Sequence, residues 1–200
     1  DSAYSVAALL NKKLAKEEYD EKAYGGLSAQ ADACVGCGQC HAACPTGALR
    51  IKSSLDMVKE AIADPDTFVV AQIAPSVRVG VGELLGFGAG ENSMAKLVGA
   101  LKKLGFDRVH DTVYGADLTA LEEGKELLER ISKGEKLPLL TSCCPAWVKY
   151  CETYFPDFIP NLSSCKSPQQ MFGTVAKTYY AQKMGLDPKD IVVVAVMPCV

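Results

Sequence analysis

Two hundred residues, 48% of them hydrophobic and carrying a net charge of −3, suit one large domain, or a medium domain with a small module attached. The charge balance offers no basic stripe for phosphate contacts, which excludes nucleic acid as the expected partner. No apolar run reaches the roughly 18 residues of a membrane span, and the N-terminus lacks the succession of a signal peptide, so a cytoplasmic protein is expected. Nine cysteines are many for such a compartment, where disulfides rarely persist, and an odd number does not close a disulfide framework. Metal binding or redox chemistry is the expected use. Four cysteines lie within Cys34 to Cys44 and five between Cys143 and Cys199, which implies two modules: residues 1–65 and residues 66–200. The chain opens at Asp1 without a methionine and stops at Val200, directly after a Met-Pro-Cys turn, so a piece of something longer is expected.

In chain order, SVAALLNKKLAKEEY sets Val6, Leu9, Leu10 and Leu14 at helical spacing beside a charged face. After the first cysteine cluster, SLDMVKEAIA predicts a short helix closed by Asp64-Pro65. TFVVAQIA is a near-continuous apolar run of the kind that forms a strand covered on both faces, and it ends at Ala74-Pro75-Ser76. A helix capped near Asn92 or Ser93 follows, then a strand in RVHDTV, then the helix LTALEEGKELLERISKG opened by Asp117 or Thr119. The strand LPLL leads into Cys143-Cys144. A helix begins after Pro145, and another carries Ser167 as N-cap, Pro168 at its first position and Gln170 completing a capping box. The strand IVVVAV then runs into Met197-Pro198-Cys199.

Alternating strands and helices predict an α/β fold with a parallel sheet flanked by helices, preceded by a small ferredoxin-like iron-sulfur module. The turns at Pro75-Ser76, Cys143-Cys144 and Cys199 each follow a predicted parallel strand. Ligands bind at the carboxyl ends of such strands, so the three turns are expected to converge on one site.

The run CVGCGQCHAACP places Cys34, Cys37, Cys40 and Cys44 at the C-x2-C-x2-C-x3-C-P spacing of bacterial ferredoxins. Two-residue gaps let a chain curl around a cubane face, and a 4Fe-4S cluster is the expected occupant. A zinc site would more often show two separated C-x2-C knuckles. In two-cluster ferredoxins the fourth cysteine of this motif ligates the other cluster. Cys34, Cys37 and Cys40 are therefore ligands by pattern, while Cys44 either serves a second cluster or is left over. The fourth ligand of the first three is open. His41 is a second candidate, and a histidine between cluster cysteines is more often a hydrogen-bonding neighbour.

Adjacent thiols after a buried strand have a plain reading, one packed inward and the other incidental. The combination of TSCCPAW, SSCKSPQQMFGTVAKTYY and VMPC changes it, because together they resemble the catalytic domain of the iron-only (FeFe) hydrogenases over residues 67–200. The cysteine cluster and the APSVR turn carry the similarity back to about Ala31. The resemblance implies that Cys144 and Cys199 bind the cubane of an H-cluster, a 4Fe-4S cluster joined to a diiron subsite with carbonyl and cyanide ligands. It implies that Cys143 binds no metal and ends a proton path beside the diiron subsite, with Glu123, Ser163 and Glu126 continuing that path to solvent. Pro75, Ser76, Gln169 and Met197 match positions that line the diiron pocket, Ser76 as donor to a cyanide. By residue type alone, the two glutamates read as a solvated helix face, Ser163 as a cap, Pro75-Ser76 as a turn, and Met197 and Trp147 as core. Cys151 and Cys165 match no family role and are expected as buried thiols.

The family's other two cubane cysteines, and a lysine three residues beyond Cys199, fall outside this chain. A remaining catalytic lobe, from the same or another chain, is therefore an expected partner, together with a ferredoxin or similar electron carrier. The activity implied is reversible formation of hydrogen from protons and electrons supplied through the N-terminal cluster. The alternative is a hydrogenase-like iron-sulfur assembly or sensing protein without a diiron centre.

Overall fold

The computed structural model describes residues 54–198 and, before them, Ala42, Ala43, Pro45 and Thr46. The first amphipathic helix, His41, the cysteines at 34, 37, 40 and 44, and Cys199 lie outside the described residues. Within them the chain forms two compact units, Ser54–Cys143 with Ser163–Pro198, and Cys144–Leu162.

In the first unit, helix α1 (Leu55–Ala63) is followed by strand β1 (Phe68–Ile73). The Asp64 carboxylate accepts from the Asp66 amide at 3.1 Å and from Thr67 Oγ1 at 2.6 Å, closing the turn between them. Helices α2 (Val77–Leu84) and α3 (Met94–Lys103) lead to strand β2 (Arg108–Asp111). Helix α4 (Val113–Lys133) ends on Gly134, whose φ of 67° is the left-handed stop that a glycine adopts freely. Helix α6 (Pro168–Val175) passes through a π-helical turn, Ala176–Tyr180, into the short α7 (Ala181–Met184), and strand β3 (Ile191–Val196) follows. The second unit holds α5 (Pro145–Tyr154) and a 3-10 turn, Pro156–Asn161.

The three strands are parallel in the order β2-β1-β3, with Ile73 opposite Asp111 on one side and Val196 on the other. The central strand explains its own sequence. Val69, Ala71 and Ile73 pack with Leu101 and Phe106 against Val58, Ile62 and Leu97, whereas Val70 on the opposite face packs with Phe172, Ala176 and Ile191. A strand covered on both sides has no reason to alternate polar with apolar residues. Helix α1, which composition groups with the N-terminal module, thus contributes to the core of the sheet.

Gln72 is the one polar residue of β1, and it is fully buried. Its Nε2 donates to the Gln169 carbonyl at 3.2 Å, and its Oε1 accepts from Thr112 Oγ1 at 3.3 Å. Burial of an amide is tolerable when both ends are paired. The two bonds tie the middle of the sheet to the end of β2 and the start of α6.

Two sequence expectations are corrected, and one helix was not foreseen. LPLL does not join the sheet: Leu140 is an isolated bridge residue, and its carbonyl accepts from the Ser163 amide at 2.7 Å. Pro138 within this segment has no N–H to give a ladder. Helix α4 starts at Val113, earlier than Asp117 or Thr119, because Asp111 Oδ1 takes the Val113 amide at 3.0 Å as soon as β2 ends. Helix α2, containing Gly80 and Gly82, was not expected, since glycines weaken a helical pattern. The capping box at the start of α6 is present as read: Ser167 Oγ accepts from the Gln170 amide and Gln170 Oε1 from the Ser167 amide, each at 3.2 Å.

Candidate active site

The Pro75-Ser76 turn meets the end of β3, while Cys199 itself lies outside the described residues. The Ala74 amide donates to the Val196 carbonyl at 3.0 Å, one step past the last β1–β3 pair, so Pro75-Ser76 and Met197 leave the same carboxyl edge of the sheet side by side. Pro75 and Ser76 are exposed and Met197 is half-buried. Ser76 stands before α2 in helical conformation, and its carbonyl takes the Gly80 amide at 2.9 Å. Its hydroxyl has no hydrogen-bond partner among the described residues, which leaves a donor at the sheet edge for a ligand. Gln169 is exposed on the first turn of α6, its carbonyl fixed by Gln72. The third turn, at Cys143, follows no strand of the sheet.

The carboxylates form the second part. Glu123 and Glu126 lie one turn apart on α4, three residues being the spacing that shares a helix face. Glu126 is the more heavily bound: Oε1 accepts from Arg130 Nε at 3.1 Å and from Arg130 Nη2, while Oε2 accepts from Ser163 Oγ at 3.1 Å. The Ser164 amide reaches both oxygens, at 3.3 and 3.1 Å. Burial acts to raise the Glu126 carboxyl, but the Arg130, Ser164 and Ser163 donors, with the Arg130 charge, together hold it below the ordinary glutamate range. Arg130 is itself tied to the Lys136 carbonyl at 3.0 Å. Glu123 is half-buried, and its carboxylate makes no hydrogen bond to another described residue.

Ser163 is buried, and its hydroxyl both donates to Glu126 and accepts from the Cys165 amide at 3.1 Å. Ser142 Oγ donates to the Ser163 carbonyl at 2.9 Å. That bond brings the residue before Cys143 to the Ser163 loop. Cys143 is exposed with a free thiol. Glu126 and Ser163 are therefore in direct contact, Glu123 stands one helical turn away, and Cys143 is one residue from the joined loop.

Cys144, in the second unit, caps α5 from an extended conformation, with Pro145 opening the helix. Its thiol is exposed and in no disulfide. Taken unit by unit, the free thiol of Cys144 is a donor of the type that ligates iron-sulfur clusters, and in the first unit the unclaimed hydroxyl of Ser76 is a donor of the type that meets an anionic ligand. Cys151 is fully buried, with its S–H directed to the Phe155 carbonyl at 3.5 Å, as expected of a packing thiol. Trp147 is half-buried and stacks on Tyr150 with ring centroids 6.3 Å apart.

Sequence reasoning passed over three residues. Arg130 carries a legible signal, standing four residues after Glu126 on one helix. Gln72 does too, as the polar residue inside an apolar strand. Cys165, expected as a buried thiol, is only half-buried and sits 3.7 Å from Glu126 Oε2; no local pattern announces that contact. A separate pocket of about 180 Å3, lined by Val70, His110, Tyr114, Phe172 and Tyr180 among others, includes none of the expected site residues. Burial, aided by Arg108, holds its His110 below the ordinary histidine value.

Residues 67–200 match the family described as iron only hydrogenase large subunit, C-terminal domain, and residues 30–50 match a 4Fe-4S binding domain. The NADP-reducing hydrogenase subunit HndD of Solidesulfovibrio fructosivorans is 52% identical over 172 residues, which are 83% of this chain and 29% of that protein. The apo FeFe-hydrogenase HydA1 from Chlamydomonas reinhardtii, in a variant form, superposes with a TM-score of 0.69 at 45% identity, over 74% of this chain and 38% of that one. The cytosolic Fe-S cluster assembly factor narfl of Danio rerio is 36% identical over 146 residues, 70% of this chain and 35% of that protein. The chain spans less than half the length of each of these relatives.

Proposed function

This chain belongs to the iron-only hydrogenase large-subunit family, and from that premise we propose that it holds part of an H-cluster and delivers protons to it for reversible hydrogen formation. The observation that carries the reading is the Ser163–Glu126 hydrogen bond at 3.1 Å. It links two proton-exchanging groups from distant segments, on a loop tied to Ser142, the residue before Cys143. Cys144 and Cys199 would hold the cubane, with further ligands from the remaining lobe. When bound, the H-cluster supplies the redox chemistry that joins electrons and protons into hydrogen.

The residues of this chain supply position and proton access. Glu126 takes a proton from solvent and passes it to Ser163, whose hydroxyl exchanges one proton for another without becoming charged for long. Glu123 receives it next and Cys143 last. A thiol suits that last place, since it gives up a proton near neutral pH far more readily than a hydroxyl does. Ser76 donates to an anionic ligand, and Pro75, Gln169 and Met197 shape the pocket. Cys34, Cys37 and Cys40, with Cys44 or another fourth ligand, would hold a 4Fe-4S cluster that takes electrons from a ferredoxin-like carrier.

A second reading, iron-sulfur assembly or sensing without a diiron centre, draws on the similarity to the Danio rerio assembly factor. The set Cys143, Glu123, Ser163 and Glu126 favours the first, because a protein without proton traffic has no use for it. The test is hydrogen evolution from a low-potential donor by the complete, matured protein, with its infrared spectrum. Cyanide and carbonyl bands with turnover are expected; neither bands nor turnover would sink the reading.

A further inference from the structure

Cys165 takes no part in the roles above, yet its Sγ stands 3.7 Å from Oε2 of Glu126. That oxygen also accepts from Ser163 Oγ and the Ser164 amide, whereas Oε1 takes both Arg130 contacts. The Cys165 backbone is held on every side. Its amide donates to Ser163 Oγ at 3.1 Å, its carbonyl accepts from Ser142 Oγ at 3.4 Å, and the next carbonyl, of Lys166, accepts from Thr119 of α4 at 3.5 Å. With the backbone fixed, only χ1 of Cys165 decides where the thiol points, and here it points to the carboxylate. Burial, outweighing the Ser163 hydrogen bond, and the facing carboxylates of Glu126 and Glu123 push the thiol up from its ordinary value, so it stays a neutral S–H with a proton to donate.

We propose that Cys165 is a positioning residue for Glu126: its S–H donates to Oε2 and keeps that oxygen turned to Ser163 at the mouth of the path. The catalytic meaning rests on the proton-path reading above; the donor role does not. Among the titratable and charged groups, Arg130 of α4 and Cys165 of the loop before α6 contact this carboxylate, and Glu123 of α4 acts on the Cys165 thiol beside it.

The experiment follows the Glu126 carboxyl by carbon-13 NMR titration in the intact protein, assigned with Glu126→Gln, for wild type, Cys165→Ala and Cys165→Ser. The midpoint is expected to rise in Cys165→Ala, where a donor to the charged form is lost, and to return to or below the wild-type value in Cys165→Ser, where a hydroxyl replaces it. An unmoved midpoint in Cys165→Ala, or an equal rise in both variants, overturns the proposal. In the matured enzyme the limb of the pH–rate profile governed by Glu126 is expected to move the same way. A moved titration with an unmoved profile upholds the donor and overturns the proton path.

Discussion

The Ser163 hydroxyl donates to Oε2 of Glu126 at 3.1 Å, joining the loop before α6 to the middle of α4 across 37 positions of sequence. Ser163→Ala removes that donor and also the acceptor of the Cys165 amide. In the matured enzyme hydrogen turnover is expected to fall by about 100-fold or more, the scale on which a positioned proton-transfer group contributes, with iron content unchanged. Iron analysis beside a turnover assay checks both; loss of iron together with activity would point to a structural role instead.

Cys143→Ser is expected to leave iron content close to wild type and to suppress turnover severely, because the hydroxyl keeps the size of the thiol but holds its proton far more tightly. Cys144→Ser is expected to lose cluster occupancy. Equal loss of iron in the two variants would show that the neighbours do not divide their work.

Glu126 binds a proton less readily in the folded chain than an ordinary glutamate does. The stability it lends is therefore complete above the ordinary glutamate value of about 4.3 and is lost as pH falls from there through the lower folded-state value. Urea midpoints measured across the acid range are expected to decline more shallowly in Glu126→Gln than in wild type. Parallel curves would mean that the donors around Glu126 do not favour its charged form.

Gln72→Leu keeps the volume roughly and removes both hydrogen bonds, leaving the Thr112 hydroxyl and the Gln169 carbonyl without this partner. Leaving buried polar groups unpaired costs about 1–3 kcal/mol. An unfolding free energy lowered by that much, read as a lower denaturant midpoint at unchanged slope, is the expected result.

Gly115 lies on α4 where α6 crosses it, and a Cβ there would overlap the Pro168 carbonyl. Gly115→Ala should force the two helices apart at a cost of about 1–3 kcal/mol, read as a lowered thermal midpoint. Because Ser163 reaches Glu126 from the segment leading into α6, the same variant is expected to slow turnover as well.

Patterns confined to a few neighbouring residues were legible without the structure. The apolar run of β1, the capping box Ser167–Gln170 and the strand IVVVAV needed only their own stretch of chain. The run LPLL met the same local rule and still stayed out of the sheet, because strand pairing depends on which partner is near. Here the Ser163 amide claimed the Leu140 carbonyl.

By itself the sequence determined the alternating fold, the spacing of the cysteines and the family resemblance, since residue order encodes local conformation and motif directly. Only the tertiary structure decided which groups touch. Glu126 could equally have been a solvated helix face; Arg130, Ser163, Ser164 and Cys165 gather around it because α4 and the loop before α6 pack together. Only the fold shows that the amide of Gln72, a polar residue inside an apolar strand, bridges Thr112 and Gln169. Hydrogen bonds are short and directional, so their partners depend on how distant segments meet in space, and no periodicity within one segment records that.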